Sequence, residues 1–325
     1  MDNTAYSILV VGGAGYIGSH LTLGLCDIGH HVTVFDNLST GNKANIDNRA
    51  NFFLGDILNE KDLENLFNNH FDIVFHFAGL KAARDSMDDL GTYANSNIVG
   101  TINILRHMEK RGISKIIFSS SAAVYGEPKY LPLDEKHPLE PVNFYGFTKL
   151  EIERLLDWFK KLSGIDYSIL RYFNAAGYDI NKRIKIVEKN PKNLIPIIME
   201  TLLGTRDLVY VFGDDYNTPD GTCIRDYIHV SDLVSAHIKS MYYIIDNQVS
   251  ITLNLSSGVG YSVLDVINKV QDIVGKKIQY KIVKRRPGDL EKLVSGATLA
   301  KKMINWKLKY SKLDQIIEST WNICR

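Results

Sequence analysis

The chain enters its first apolar run at Ser7–Val11. It passes directly into Gly12-Gly13-Ala14-Gly15-Tyr16-Ile17-Gly18, then into a helical pattern with apolar residues at Ile17, Leu21 and Leu25. Strand, glycines and helix in that order form the context a dinucleotide-binding turn requires. The glycines fit G-x-x-G-x-x-G counted from Gly12 and G-x-G-x-x-G counted from Gly13. They provide a tight turn, close approach of the backbone to a pyrophosphate, and close packing of helix on strand. The helix start offers free N–H groups and the positive end of a dipole to phosphate. A second apolar run, residues 31–35, ends at Asp36, 18 residues after Gly18. A carboxylate there matches the acid that bonds the adenosine ribose, expected about 20 residues on, and it repels a 2′-phosphate. The cofactor expected is therefore NAD rather than NADP.

Strand-like runs recur at residues 8–11, 32–35, 52–54, 73–77, 115–119 and 168–172, with helical patterns between most of them. Asn59 reads as the cap of a short helix. Residues 95–111 are apolar at Ile98, Ile102, Leu105 and Met108. Such alternation predicts an α/β fold, a doubly wound parallel sheet of Rossmann type. Ligands of such sheets bind at the carboxyl ends of the strands, where Gly12, Asp36, Asp56, Ala78 and Ser121 fall. After Gly177 the pattern turns irregular, with polar stretches at 178–192 and 214–222 and a capping box at Ser262 and Asp265. We expect a nucleotide-binding domain over 1–177 and a smaller mixed α/β substrate domain over 178–325, with residues 226–243 packing back on the first.

With 38 Lys+Arg against 37 Asp+Glu among 325 residues, the charge is balanced and gives no reason to expect nucleic acid or a membrane surface as partner. No run approaches the ~18 apolar residues of a membrane span. The first residues lack a secretory leader's pattern. The three cysteines, Cys26, Cys223 and Cys324, are widely spaced and support neither a disulfide framework nor a metal site. A cytoplasmic protein without a metal is expected.

Tyr145 and Lys149 stand one helical turn apart, so their side chains share a face. A fixed ammonium favours the phenolate, and a tyrosine tuned in this way can take a proton from an alcohol. Ser121, the last of three consecutive serines and 24 residues upstream, can hold the same substrate oxygen.

The segments Gly12–His20, His76–Ala82, Phe118–Gly126, Leu170–Asn174, Arg225–Val230 and Arg285–Leu290, with Ser121, Tyr145 and Lys149, resemble the extended short-chain dehydrogenase/reductase family and, more narrowly, its UDP-glucose 4-epimerase branch. The resemblance covers essentially the whole chain. It implies that Gly12, Gly15, Tyr16, Ile17, Gly18, Asp36, Asn37, Asp56, Ile57, Phe77, Ala78, Lys81 and Phe173, with Tyr145 and Lys149, hold NAD. It implies that Ser121, Tyr145 and Lys149 do the chemistry, and that Ser121, Asn174, Asn193, Arg225, Arg286, Asp289 and Leu293 meet a UDP-sugar. Ser96 stands where many members carry a cofactor-contacting Asn. A homodimer through the helices around 95–111 and 145–162 is the family expectation.

Inversion at a sugar C4 that has no acidic hydrogen calls for transient oxidation at C4 and return of hydride to the opposite face. A nucleotide-sugar dehydratase or decarboxylase would begin the same way. Elimination needs an added acid and base, which relatives carry as carboxylates just after the active-site serine or threonine. Ala122 and Ala123 occupy those places here. A non-catalytic NAD sensor would have no use for the Ser-Tyr-Lys set together with two phosphate-matching arginines. Leu293, smaller than the tyrosine common in glucose- and galactose-restricted epimerases, predicts room for N-acetylated sugars.

Overall fold

The computed structural model describes residues 4–286 and 288–325. Pro287, inside the Arg285–Leu290 segment, lies outside the described residues. Seven strands form one sheet in the order 251–255, 166–172, 115–121, 73–76, 7–11, 31–36, 51–54. Every neighbouring pair is parallel. Parallel strands need crossovers that cover both faces, and the central strands are accordingly apolar on both sides. In Ser7–Val11, Ile8 and Val10 enter a core packed against Leu21, Leu25, Leu233, Ala236 and Met241 of the helices Tyr16–Asp27 and Val230–Asn247. Leu9 and Val11 enter the opposite core with Leu63, Leu66, Ile104, Leu105, Ile152 and Leu156 from helices Glu60–Leu66, Gly100–Lys110 and Phe144–Ser163.

Local signals set the helix ends. Asn59 accepts from the N–H groups of Lys61 and Asp62, and Ser262 and Asp265 close a reciprocal capping box on the helix Val263–Val274. That helix and Phe144–Ser163 both stop at a left-handed glycine, Gly275 (φ 71°) and Gly164 (φ 72°). The helix signalled at Ser231 is capped instead by His229, whose ring accepts from Ser231 N–H. The segment before Gly100–Lys110 runs as a π-helical turn over Ala94–Val99.

From strand 7–11 the chain builds 31–36 and 51–54 on one side, then returns to place 73–76 on the other. That reversal opens a crevice between the carboxyl ends of 7–11 and 73–76. The chain leaves the sheet after Tyr172 and at once forms Asn174–Ala176, which pairs with Ile224–His229 in a second, smaller sheet. Strands Gly260–Ser262 and Lys292–Leu293 flank Ile224–His229. A third core of Ile195, Ile198, Val266, Ile267, Ile316 and Ile317 lies among the helices Leu194–Leu202, Val263–Val274 and Leu313–Cys324. The short link 172–174 thus hangs the second sheet from the ligand-binding rim of the first.

Candidate active site

The glycine turn is built for a close fit. Gly12 has φ +81°, and a Cβ there would lie 2.5 Å from the Ala78 nitrogen at the end of strand 73–76. At Gly18 a Cβ would collide with the Gly12 carbonyl oxygen, so only glycine lets the helix start so near the strand. The helix Tyr16–Asp27 begins at Gly15 with no side-chain cap and no acid in its first turn. A Cβ on Gly15 would meet only the Gly12 oxygen, at 3.3 Å. An uncapped helix start behind a glycine cradle fits a pyrophosphate. Asp36 ends its strand beside this turn, and its carboxylate accepts from Ala14 N–H at 2.9 Å and Leu38 N–H at 2.8 Å. Asn37 donates to Asp56 at 2.9 Å, joining the two adjacent strand ends. Ile57 is buried against Gly100, and the Phe77 ring packs 5.1 Å from His237. These residues suit an adenosine at the rim.

Lys81 follows the same strand end, and its ammonium pairs with Glu188 at 2.6 Å. The Tyr16 hydroxyl donates to the Gly177 carbonyl, and the Asn45 amide bonds both backbone groups of Ile186. The segment 177–188 is therefore fastened to both sides of the crevice, a feature invisible in the sequence because its partners lie more than 100 residues away. Asn97, next to Ser96, is buried and bonds the Leu80 backbone and Thr148.

Ser121 ends strand 115–121, and Tyr145 and Lys149 lie in the first two turns of Phe144–Ser163. Asn143 caps that helix by accepting from Gly146 N–H at 2.8 Å. Gly146 allows the close approach, since a Cβ would strike the Ala123 carbonyl. The Ser121 hydroxyl accepts from Ala123 N–H at 3.2 Å and lies near enough to the Tyr145 phenol to favour its ionised form. Lys149 donates to the Ser119 carbonyl at 2.9 Å, and its ammonium lies 5.9 Å from the Tyr145 ring centroid. Burial pushes the Tyr145 phenol up to about 12, with Ser121 pulling the other way. Burial also pushes Lys149 down to about 8, opposed by Glu153. Desolvation thus dominates the phenol, and the expected lowering by Lys149 is not among the effects that shift it. Phe173 is buried just beyond, in a cluster with Ala122, Val124, Tyr125 and Leu150.

The second sheet brings up the other candidates. The Asn174 amide donates to the Asp226 carbonyl at 3.0 Å. Asn193 begins Leu194–Leu202 without capping it. It lines a cavity of about 20 Å³ together with Tyr16, Gly177 and Glu188. Arg225 donates to its neighbour's carbonyl on Ile224 at 2.9 Å. Arg286 pairs with Asp289 at 3.1 Å and lies 3.9 Å over the Phe212 ring. Arg285 stacks 3.8 Å over Tyr216 and bonds Asp215 at 2.6 Å. No spacing in the sequence singles out Phe212 and Tyr216. An aromatic beside an arginine is visible only once strand 209–212 and residues 285–286 meet. Leu293 pairs in register with Arg225 and packs on the cluster behind Ser121. Among the described residues no group of His, Cys, Asp or Glu is placed to hold a metal, and no helix is long and apolar enough to cross a membrane.

These features coincide with a known lineage. The pattern of the NAD dependent epimerase/dehydratase family matches residues 8–255, and the chain belongs to that family. A UDP-glucose 4-epimerase from Halalkalibacterium halodurans is 41% identical over 317 residues, covering 97% of this chain and 95% of the relative. The crystal structure of the Brucella ovis UDP-glucose 4-epimerase in complex with NAD superposes with a TM-score of 0.94 at 37% identity, covering 98% of both chains. The UDP-Glc/GlcNAc 4-epimerase of Campylobacter jejuni superposes at 0.85 with 36% identity, covering 98% of this chain and 99% of that one.

Proposed function

We infer that this chain is an NAD-dependent UDP-hexose 4-epimerase that interconverts UDP-glucose and UDP-galactose. The observation that carries this reading is a complete proton-handling set without an eliminating acid. Ser121, Tyr145 and Lys149 meet at one strand end, with the Lys149 ammonium 5.9 Å from the Tyr145 ring centroid, while the turn directly after Ser121, Ala122–Val124, contains no ionisable group. A dehydratase needs an acid there, so the geometry favours epimerisation.

Gly12, Gly15, Tyr16, Ile17 and Gly18 would cradle the cofactor's diphosphate, Asp36 and Asn37 its adenosine end, and Tyr145 and Lys149 its ribose. When bound, NAD supplies a reversible hydride acceptor and a further positive charge, which a tyrosine held near 12 by burial needs in order to ionise near neutral pH. Tyr145 removes the O4 proton, Ser121 steadies O4 and relays the proton, and Lys149 holds the compensating charge. General-base catalysis of this kind contributes typically ~10²–10⁴-fold. The 4-keto sugar is planar at C4, so it would turn within the pocket and present its other face for return of the hydride to C4, while O4 takes its proton back from Tyr145. Arg225, Arg286 and Asp289 would anchor the nucleotide while the sugar turns, since guanidinium forks match phosphate oxygens. Asn174 and Asn193 would bond phosphate or sugar. Leu293 would leave room for an acetamido group, extending the activity to UDP-N-acetylglucosamine and UDP-N-acetylgalactosamine.

The division into a cofactor part, 1–177, and a mainly substrate-binding part, 178–325, belongs to this proposal. So does a cytoplasmic homodimer. In its support, Phe147, Trp158 and Leu162 expose apolar surface along one helix, with Leu162 79% exposed, and Val99 is exposed on the neighbouring segment. The test is separate incubation with UDP-galactose and UDP-N-acetylgalactosamine, with products resolved by chromatography. UDP-glucose should form without net NADH. A deoxy-keto product, or NADH in proportion to turnover, would overturn the assignment.

A further inference from the structure

Helix Phe144–Ser163 carries a third buried ionisable residue that this chemistry does not use. Glu153 stands one turn beyond Lys149, as Lys149 stands one turn beyond Tyr145, so the three share a stripe. Facing them run the three serines of strand 115–121, and each takes one member. The Ser121 hydroxyl lies by the Tyr145 phenol and draws it down, the Ser119 carbonyl accepts from Lys149 at 2.9 Å, and the Ser120 hydroxyl donates to Glu153 Oε1 at 2.5 Å. On the next strand Arg171 lies in register with Ser120. Its guanidinium reaches both Glu153 oxygens, Nε at 3.0 and 3.2 Å and Nη2 at 2.5 Å. Its Nη1 donates to the Tyr125 hydroxyl at 3.1 Å, which donates to Asn254 at 2.6 Å.

Lys149, Glu153 and Arg171 are each only 5% exposed. A buried ion pair is poor value for stability compared with apolar residues of the same volume, so its place beside the reacting tyrosine asks for another reason. The three charges sum to +1, and a phenolate at Tyr145 would bring the cluster to neutrality. Without Glu153 two buried cations would remain, and the lysine, unlike the guanidinium, can relieve the repulsion by losing its proton.

We propose that Glu153 is a positioning residue for the Tyr145–Lys149 pair: gripped by Ser120 and Arg171, its carboxylate keeps Lys149 cationic and so keeps in place the charge that the tyrosine base requires. Burial pushes Lys149 downward, and Glu153 is the group that opposes it. The other groups around the pair do not supply that anion. His76, on strand 73–76, is pushed down to about 3 by burial and by Lys149, so it is neutral. Tyr172 bonds the Ser119 hydroxyl, Tyr93 faces Tyr145 and pushes it up, and Asp85 and Asp88 on the short helix packed nearby are exposed.

The role rests on the epimerase reading, but its test does not need the sugar. Side-chain ¹⁵N NMR of lysine-labelled full-length protein, with Lys149→Met to assign the resonance, reads the Lys149 titration directly. In Glu153→Gln that titration should fall by at least about one pH unit, from about 8 to about 7 or below, which leaves at most about half the lysine cationic at pH 7, so kcat at neutral pH should fall by about twofold or more, with KM little changed. Glu153→Gln/Arg171→Met removes the unpaired guanidinium that could unfold the single variant, and with the second cation gone it should show a lowered titration that falls less than in Glu153→Gln, with stability regained. An unshifted Lys149 in either folded variant, or a double variant with wild-type titration and kcat, would reduce Glu153 to a packing role. Absence of epimerase activity in the wild type would remove the functional reading and leave the titration result standing.

Discussion

The two sides of the site are built in opposite ways. Ser121, Tyr145 and Lys149 come from one strand and one 20-residue helix, and each is tied down by the protein itself. Arg225, Arg286 and Asp289 come from a six-residue strand and the approach to a two-residue one. Arg286 and Asp289 keep 41% and 26% of their side chains exposed and bond each other. Proton transfer needs atoms fixed within hydrogen-bond reach. A ligand that arrives, turns and leaves needs partners that can be exchanged, and a surface ion pair costs little to open. Under the proposed function, turnover falls to the rigid side and affinity to the exchangeable one.

Tyr145→Phe is the largest blow to that assignment. It removes the hydroxyl and keeps the ring, so kcat should fall by ~10²–10⁴-fold while UDP-sugar affinity and melting temperature stay close to wild type. Near-normal kcat would move the base elsewhere.

The buried histidines on both sides also set an acid limit. Burial pushes His20, His229 and His237 down to about 4 and His76 down to about 3. Each folded value lies below the unfolded reference of about 6.5, so the unfolded chain binds more protons as pH falls between 6.5 and 4. The stability these residues contribute is whole above pH 6.5 and declines below it, by about 3 kcal/mol per histidine at pH 4. Denaturant unfolding at pH 7, 6 and 5 should show this slope, and His237→Phe should flatten it. A flat profile in the wild type would contradict neutral burial.

Arg286→Met tests the exchangeable side. Losing a charge-assisted bond to phosphate costs about 1.5–3 kcal/mol, roughly 10- to 100-fold. The loss should fall on KM, with kcat within a few-fold. A fall confined to kcat would dissolve the division between the two sides.

What the sequence discloses follows the same line. The glycine turn, the Asn59 cap, the Ser262–Asp265 box and the Tyr145–Lys149 stripe depend on neighbours within a few residues, so spacing alone reveals them. Strand 251–255 joining the sheet beside 166–172 does not. Neither does the pairing of Lys81 with Glu188, nor that of Glu153 with Arg171 from the next strand. These depend on which surfaces the fold presses together. The same limit explains why burial of Tyr145, rather than its lysine, sets its proton affinity: desolvation belongs to the packed site and leaves no spacing to read.

Leu293 is where the two sides touch, and it carries the smallest effect. Its backbone pairs with Arg225 on the exchangeable side, while its side chain packs on the cluster of Ala122, Val124, Tyr125 and Phe173 behind Ser121. A residue so placed does not handle protons, but it can limit how bulky a sugar may turn beside them. An acetamido group at C2 needs space through the whole rotation, and a tyrosine at 293 would add both volume and a hydroxyl there. Size discrimination of this kind is worth roughly 1–3 kcal/mol. Leu293→Tyr should therefore lower kcat/KM for the N-acetylated pair by about tenfold or more relative to the plain pair, with NAD content unchanged. If the two pairs lost activity equally, the side chain would be acting through the cluster behind Ser121, as part of the rigid side. If the wild type did not turn over UDP-N-acetylgalactosamine, pocket width would be set elsewhere, and the boundary between the two sides would have to be drawn through another residue.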